Sequence, residues 1–185
     1  MELFEAIHGR TSADSARPDP LPDALIEKLL AAGVQAPNHY KVRPWRFVVV
    51  RGHARERLGD AMAASLNTRH PELPPEAMDK TRRLPLRAAA LIAVGVDRPA
   101  EPHVLEIENV CAAAAATQNI LLAAEAENLA AKWRTGEWAR DPAIKAFLGF
   151  SVDQHIIGFI YIGYRVADPD RRDRPSWEDR TRWMD

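Results

Sequence analysis

The spacing of apolar and polar positions divides the chain into helical and extended segments. Apolar residues at helical spacing predict amphipathic helices, and short β-branched or aromatic runs predict buried strands. The predicted helices are 1–8, 22–35, 54–66, 104–129 and 141–149. The predicted strands are 46–50, 88–96, 130–135 and 155–163. This alternation predicts one α/β or α+β domain with helices on both faces of a sheet.

Two less regular regions interrupt the pattern. Residues 67–85 contain Pro71, Pro74, Pro75 and Pro85, which predicts a long irregular excursion with at most one short helix after Pro75. Excursions of this kind often cover an active site. Residues 167–185 combine six acidic residues with five arginines and are expected to form an extended tail of the domain 1–166.

The longest predicted helix, 104–129, has an unusual composition. From Cys111 to Ala116 it is small and apolar on every side, and a helix of that character must be buried all round. Two interpretations stay open: a subunit interface, or a tightly packed helix in the core of one chain. Cys111 is expected to be a small core residue rather than a nucleophile.

Composition narrows the function classes. The 185 residues include 25 basic and 26 acidic side chains, and this balance disfavours a nucleic-acid binder. A single cysteine excludes an intrachain disulfide framework. No signal peptide or membrane span is visible, so we expect a soluble cytoplasmic protein without a membrane partner. Twenty of the 25 cations are arginine, which suits phosphate recognition but also fits a general compositional bias.

Common catalytic motifs are missing from the sequence. It contains no GxGxxG, GxxxxGK[ST], HExxH, CxxC or GxSxG motif. Its six histidines include no pair at the i,i+4 spacing of a helical metal site, so no metal is expected. If the protein is an enzyme, a bound cofactor is expected to carry the chemistry, and no catalytic side chain is assigned.

Three short segments could hold such a cofactor. Arg10-Thr11-Ser12 follows the first helix and offers a guanidinium and two hydroxyls to a phosphate, although a solvated turn has the same composition. Gln35 and Asn38-His39 flank a helix end and could meet the polar edge of a planar heterocycle, or simply form a capping loop. In Lys132-Trp133-Arg134-Thr135-Gly136, a strand emerges into a cation, a hydroxyl and a glycine, and the glycine permits close backbone approach.

Within this last segment the two large side chains have different expected roles. Trp133 is expected to pack in the core rather than to stack on a ligand. Arg134 has no evident structural purpose in the sequence, which raises its interest as a ligand-binding residue.

Taken in order, these segments resemble the nitroreductase family of FMN-dependent oxidoreductases, and most closely its minimal, YdjA-like branch. The resemblance rests on R-T-S at 10–12, A-P-N-H at 36–39, P-W-R-F-V-V-V at 44–50, N-I-L-L-A-A at 119–124, W-R-T-G at 133–136 and I-I-G-F-I-Y-I-G at 156–163. No single motif is specific, but the series in this order is.

The resemblance implies an α+β fold of the α/β/α sandwich type, with a mainly antiparallel sheet and a long alanine-rich central helix. It also implies a homodimer that holds FMN in two clefts at the subunit interface, with some contacts from the opposite subunit. The residues that match the family's FMN contacts are Arg10, Thr11, Ser12, Gln35, His39, Trp133, Arg134, Thr135 and, for the phosphate, Arg174. Asn38 and Gly136 join this cofactor-binding set from the interpretation of their segments.

The implied activity is hydride transfer from NADH or NADPH, through flavin N5, to an electron-poor acceptor such as a nitroaromatic or a quinone. Two alternatives remain: another FMN reaction such as reductive dehalogenation, or a non-catalytic flavin-binding dimer. One departure stands out, because Asp14 replaces a cation that many members carry. Lys132 or Arg134 could supply the missing positive charge near the flavin.

Overall fold

The computed structural model describes residues 1–167 and 173–184. Its α-helices are α1 (Leu3–Gly9), α2 (Asp23–Gly33), α3 (His53–Arg69), α4 (Pro75–Arg82), α5 (Glu106–Ala126) and α6 (Pro142–Phe147). Its strands are β1 (Trp45–Arg51), β2 (Ala90–Val96), β3 (Leu129–Arg134) and β4 (His155–Tyr164). Short 3₁₀ helices lie at His39–Lys41, Leu84–Arg87, Glu137–Ala139 and Glu178–Arg180. The predicted types and order of the main elements are confirmed, with small shifts at their ends.

The four strands form one sheet in the order β1-β2-β4-β3. All three pairings are antiparallel, which confirms the expected α+β class with a mainly antiparallel sheet. β3 lies at the edge of the sheet and pairs with β4 alone, so its outer side is available to other parts of the chain.

The two faces of the sheet bury separate cores because side chains alternate along each strand. On one face, Ile92 and Ile160 pack with Leu29 of α2 and Ile120 of α5. On the other face the core consists of strand, α3 and α6 residues, among them Leu91, Phe159, Tyr161, Leu58, Met62 and Ile144. Burial of each large apolar side chain contributes about 1.5–3 kcal/mol, so both helix layers are firmly attached.

Residues 67–85 are more regular than the sequence analysis predicts. α3 continues to Arg69, and the short helix expected after Pro75 is confirmed as α4. The prediction of a mostly irregular excursion is wrong, because Pro74 and Pro75 fall at a helix start, where proline is favoured. α4 ends against α3 so closely that a Cβ on Gly59 would lie 2.1 Å from the Arg82 carbonyl oxygen.

The long helix α5 is buried on one side by the rest of the chain. Ala112, Ala113, Ala116 and Ile120 belong to the core. Cys111 is exposed, so its prediction as a core residue is wrong: it points away from the sheet that buries the other side of α5. Within the described residues, none of the helices combines the length and apolar character needed to cross a membrane.

The predicted extended tail lies partly outside the described residues, which omit 168–172 and 185. Its described part, 173–184, is exposed and contains one 3₁₀ turn.

Candidate functional site

Two cavities lie along the edge strand β3. The first, here called the polar cavity, has a volume of about 690 Å³. The second, the aromatic cavity, has a volume of about 450 Å³, and Lys132 lines both. The polar cavity is lined by 11–15, Leu129, Ala130, Lys132, 165–167 and 173–175. The aromatic cavity is lined by Leu84, Arg87, 132–138, Phe159 and Tyr161. Both volumes fall within the ~300–1,000 Å³ of small-molecule sites.

The loop after α1 forms one wall of the polar cavity. It runs beside β3, where the Ala13 backbone N–H donates to the Ala131 carbonyl oxygen at 3.2 Å. This contact brings Thr11 and Ser12 to the cavity. Arg10 directly precedes them and is half-buried, with its backbone N–H bonded to the Ala6 carbonyl oxygen at 3.0 Å.

Among the described residues, three cations line the polar cavity. Lys132 donates to the Asp14 carboxylate, which partly neutralises the charge of the lysine. Arg174 is exposed at the cavity wall. Arg165 is held by Glu125 of α5, with 2.5 Å between its Nη2 atom and the Glu125 Oε2 atom.

Arg165, which lines the polar cavity, has a buried polar atom without a partner among the described residues. Its Nε atom is buried and has no hydrogen-bond partner within the described residues. An unsatisfied buried donor costs about 1–3 kcal/mol, and more when it is charged, so a structure rarely retains one without a purpose. Glu125 accepts from the Nη2 atom of the guanidinium, and the Nε–H is left without a partner among the described residues.

The aromatic cavity begins where β3 ends. Trp133 packs against the core, as expected, and its Nε1–H donates to the Ile157 carbonyl oxygen at 3.2 Å. Gly158 makes this position possible: its φ is +154°, and a Cβ there would lie 2.2 Å from Trp133 Nε1. Thr135 and Gly136 follow in exposed positions, and the φ of +113° at Gly136 turns the chain away from β3.

Arg134 and Tyr161 form the inner wall of the aromatic cavity. The Arg134 Cζ atom lies 5.3 Å from the centre of the Tyr161 ring, a cation–π contact. Arg134 therefore has a structural contact that its sequence position does not reveal. Burial raises the pKa of the Tyr161 phenol, and the charges of Arg134 and Arg87 oppose that shift. At neutral pH Tyr161 is an uncharged hydroxyl group.

The remaining predicted residues lie elsewhere. Gln35, Asn38 and His39 belong to the loop after α2, and they line neither the polar nor the aromatic cavity. The Asn38 Oδ1 atom accepts the Arg43 backbone N–H at 2.9 Å. The His39 Nδ1 atom lies 3.5 Å from the Glu108 Oε1 atom of α5.

This loop has an unusual backbone. Tyr40, Lys41 and Arg43 have φ angles of 49°, 57° and 50°, in the left-handed region that non-glycine residues rarely adopt. Such outliers cost about 1–3 kcal/mol each and cluster at functional sites. The loop is thus a candidate binding element, separate from the two cavities within one chain.

The sequence did not single out Arg165, Arg87 and Tyr161, which line the cavities, or Glu125, which pairs with Arg165 from outside the lining. Arg165 had a weak signal, since it is a cation directly after an apolar strand. Arg87 and Glu125 had none, because an arginine between prolines and alanines or a glutamate in an alanine-rich helix fits many surfaces.

Comparison with known proteins agrees with the fold. The family model described as the Nitroreductase family matches residues 7–164. The chain is 31% identical over 169 residues to YdjA of Escherichia coli K12, whose name assigns it to the NAD(P)H nitroreductases, with 88% of each chain covered. Among solved structures, a nitroreductase-like family protein from Bacillus cereus has a TM-score of 0.85 at 23% identity, covering 100% of this chain and 96% of that one.

A Desulfovibrio desulfuricans nitroreductase solved in complex with FMN has a TM-score of 0.74 at 26% identity, covering 95% of this chain and 92% of its own. The family match spans all four strands and both cavities' β3 wall. The chain belongs to the nitroreductase family.

Proposed function

We propose that this protein is an FMN-dependent oxidoreductase that moves hydride from NADH or NADPH, through flavin N5, to an electron-poor acceptor such as a nitroaromatic or a quinone. The observation that carries the proposal is the pair of neighbouring cavities along β3 that share Lys132 in their linings. One offers cations and hydroxyls, and the other offers aromatic walls, so together they match a ligand with an anionic end and a planar end.

The residues present fit FMN. Its phosphate needs charge-assisted donors, and the polar cavity supplies Arg165, Arg174, Thr11 and Ser12. The unpaired Arg165 Nε–H supports this assignment, because a phosphate oxygen within hydrogen-bond distance would satisfy a buried donor. The ring would then lie toward the aromatic cavity, beside Trp133, Arg134, Thr135 and Gly136.

When bound, FMN would supply two-electron hydride chemistry between a nicotinamide and an acceptor. The chain's own residues bind and orient. Gly136, just after β3, has no side chain, so a planar ligand could approach the backbone there. Lys132 and Arg134 would supply positive charge to the bound ring, although the ion pair with Asp14 would reduce the contribution of Lys132. No side chain of the chain is required as an acid or base.

A second copy of the chain completes the site in this proposal. Gln35, Asn38 and His39 lie outside both cavities, and the strained loop that carries them would contact the FMN bound to a partner. Apolar side chains without cover support an interface: Phe4 is 72% exposed on α1, and Ile107 is 63% exposed on α5. Exposed apolar patches of this kind mark association surfaces.

The test is direct. The purified protein should be yellow, or become so with FMN, and its absorbance near the flavin maximum should bleach when NADH or NADPH is added without oxygen. A colourless protein that cannot be loaded with FMN would refute the proposal. A yellow protein that neither nucleotide bleaches would favour a flavin-binding protein without this activity.

A further inference from the structure

Two arginines of the aromatic cavity have no carboxylate partner. Within the described residues, no ion pair joins Arg87 or Arg134 to an acidic side chain, whereas the other two charged lining residues, Lys132 and Glu137, are both paired. Both arginines lie close enough to Tyr161 for their charges to act on its hydroxyl group. Because they reach the cavity from different elements, the 3₁₀ helix Leu84–Arg87 and the end of β3, they leave two guanidinium groups facing one space.

The cavity's own acid does not compensate these charges. Glu137 is the one carboxylate among its lining residues, and the Glu137 Oε2 atom lies 2.9 Å from Arg69 Nη1, outside that lining. Arg69 also lies over the Trp138 ring, with its Cζ atom 5.3 Å from the ring centre. The lining therefore keeps an excess of positive charge.

The remaining walls are flat and apolar. Trp133, Trp138, Phe159 and Tyr161 surround the space, and Leu84 closes one side. Aromatic walls favour a planar ring, and guanidinium groups favour a carboxylate or a similar oxyanion, which they bind with paired hydrogen bonds. Because Arg134 already contacts the Tyr161 ring and lies beside the proposed flavin position, a neutral acceptor would leave the Arg87 guanidinium without an anionic partner.

We propose that the acceptor reduced at this site is an aromatic compound that carries an anionic substituent, such as a carboxylate, beside its reducible group. The inference rests on the proposed function, since it names the class of acceptor. For a nitro acceptor, NAD(P)H supplies two electrons and one proton as hydride and is oxidised to NAD(P)⁺, and solvent supplies a second proton. The nitro group loses one oxygen as water and becomes a nitroso group.

Arg87 is the specificity residue in this scheme. Arg134 lies beside the proposed flavin position, whereas Arg87 enters from the Leu84–Arg87 helix and is free to meet the anionic substituent. The 3₁₀ helix Leu84–Arg87, which follows α4, therefore supplies part of the acceptor pocket.

The experiment compares two acceptors of nearly equal shape. The FMN-loaded protein, with saturating NADH or NADPH, is assayed for kcat/KM with 4-nitrobenzoate and with 4-nitrobenzamide. We expect roughly a tenfold preference for the carboxylate, as one charge-assisted contact would give. In Arg87→Gln the preference should fall to about twofold or less. The matched control Arg83→Gln changes an exposed arginine outside the aromatic cavity and should keep the preference.

A binding measurement separates this inference from the proposed function. Titration calorimetry with benzoate and benzamide should show the same preference for the anion, and the same loss in Arg87→Gln, without any turnover. Equal affinities in the wild type, or a preference that survives Arg87→Gln, would overturn the inference. A protein that binds benzoate through Arg87 but is never bleached by NADH or NADPH would support the anion site and refute the proposed oxidoreductase activity.

Discussion

Replacing Arg165 by methionine tests the polar cavity most sharply. Methionine keeps much of the side chain's apolar volume and removes the guanidinium. The proposed phosphate contact is a charge-assisted hydrogen bond from the buried Nε–H, worth about 1.5–3 kcal/mol. At about 1.4 kcal/mol per factor of ten, FMN should bind roughly 10- to 140-fold more weakly. Riboflavin has the same ring and no phosphate, so its affinity should change by no more than about twofold.

The buried ion pair requires a second variant. Side-chain exposure is 15% for Arg165 and 7% for Glu125, so removal of the arginine leaves a buried carboxylate without its partner. Such a change costs about 3–5 kcal/mol in unfolding free energy. The double variant Arg165→Met/Glu125→Gln removes that charge and should recover most of the stability, while FMN binding stays weak.

The assay is a fluorescence titration of each flavin with each variant, alongside urea unfolding. Arg57→Met serves as the control, because Arg57 is an exposed arginine of α3 that lines neither cavity. The reasoning is refuted if the double variant is stable and loses FMN and riboflavin affinity by the same factor, or loses neither.

Three further predictions follow from the geometry. Ultraviolet titration should show one of the three tyrosines ionising above the usual pKa of 10, and Tyr161→Phe should remove that step. Because the folded pKa is raised, its contribution to stability is complete below pH 10 and is lost as pH rises through the folded value; a Tyr161→Phe protein with unchanged alkaline unfolding would contradict this. Gly158→Ala should lower the unfolding free energy by about 1–3 kcal/mol or more through the clash with Trp133, and by more than Gly149→Ala, which has a φ of +79° but open space; equal losses would count against the clash. Phe4→Asp should convert a dimer of twice 20.7 kDa into monomers in sedimentation and weaken FMN binding in parallel, while a dimer that persists would remove Phe4 from the interface.

The hydrophobic pattern was sufficient for the main elements and their order, because the strands and the helices α2, α3 and α5 bury apolar side chains. It was less informative about residues 67–85, because the prolines there indicated an irregular segment, whereas Pro74 and Pro75 in fact begin helix α4. Cys111 shows a second limit. A small apolar residue in an alanine-rich helix has no periodic signal that tells the buried side from the exposed side.

Some residues of the candidate site could likewise be expected from the sequence, and others could not. Thr11, Ser12 and Trp133 carried local signals, Arg174 was expected from the family resemblance, and all four line the two cavities. Arg165 and Glu125 are 40 residues apart and meet only because α5 and the end of β4 lie side by side. Contacts of that range are set by tertiary packing, and no spacing rule in the sequence reports them.

The loop from Thr11 to Ser15 also protects the sheet. β3 is an edge strand, and an edge strand left open presents unpaired backbone groups on which another molecule can add a strand. The bond from Ala13 to Ala131 occupies part of that edge, and the bridge from Arg17 to Tyr164 fastens the chain beyond it. One short segment thus serves both as a wall for a ligand and as a guard against aggregation, so mutations that loosen it would impair solubility together with cofactor retention.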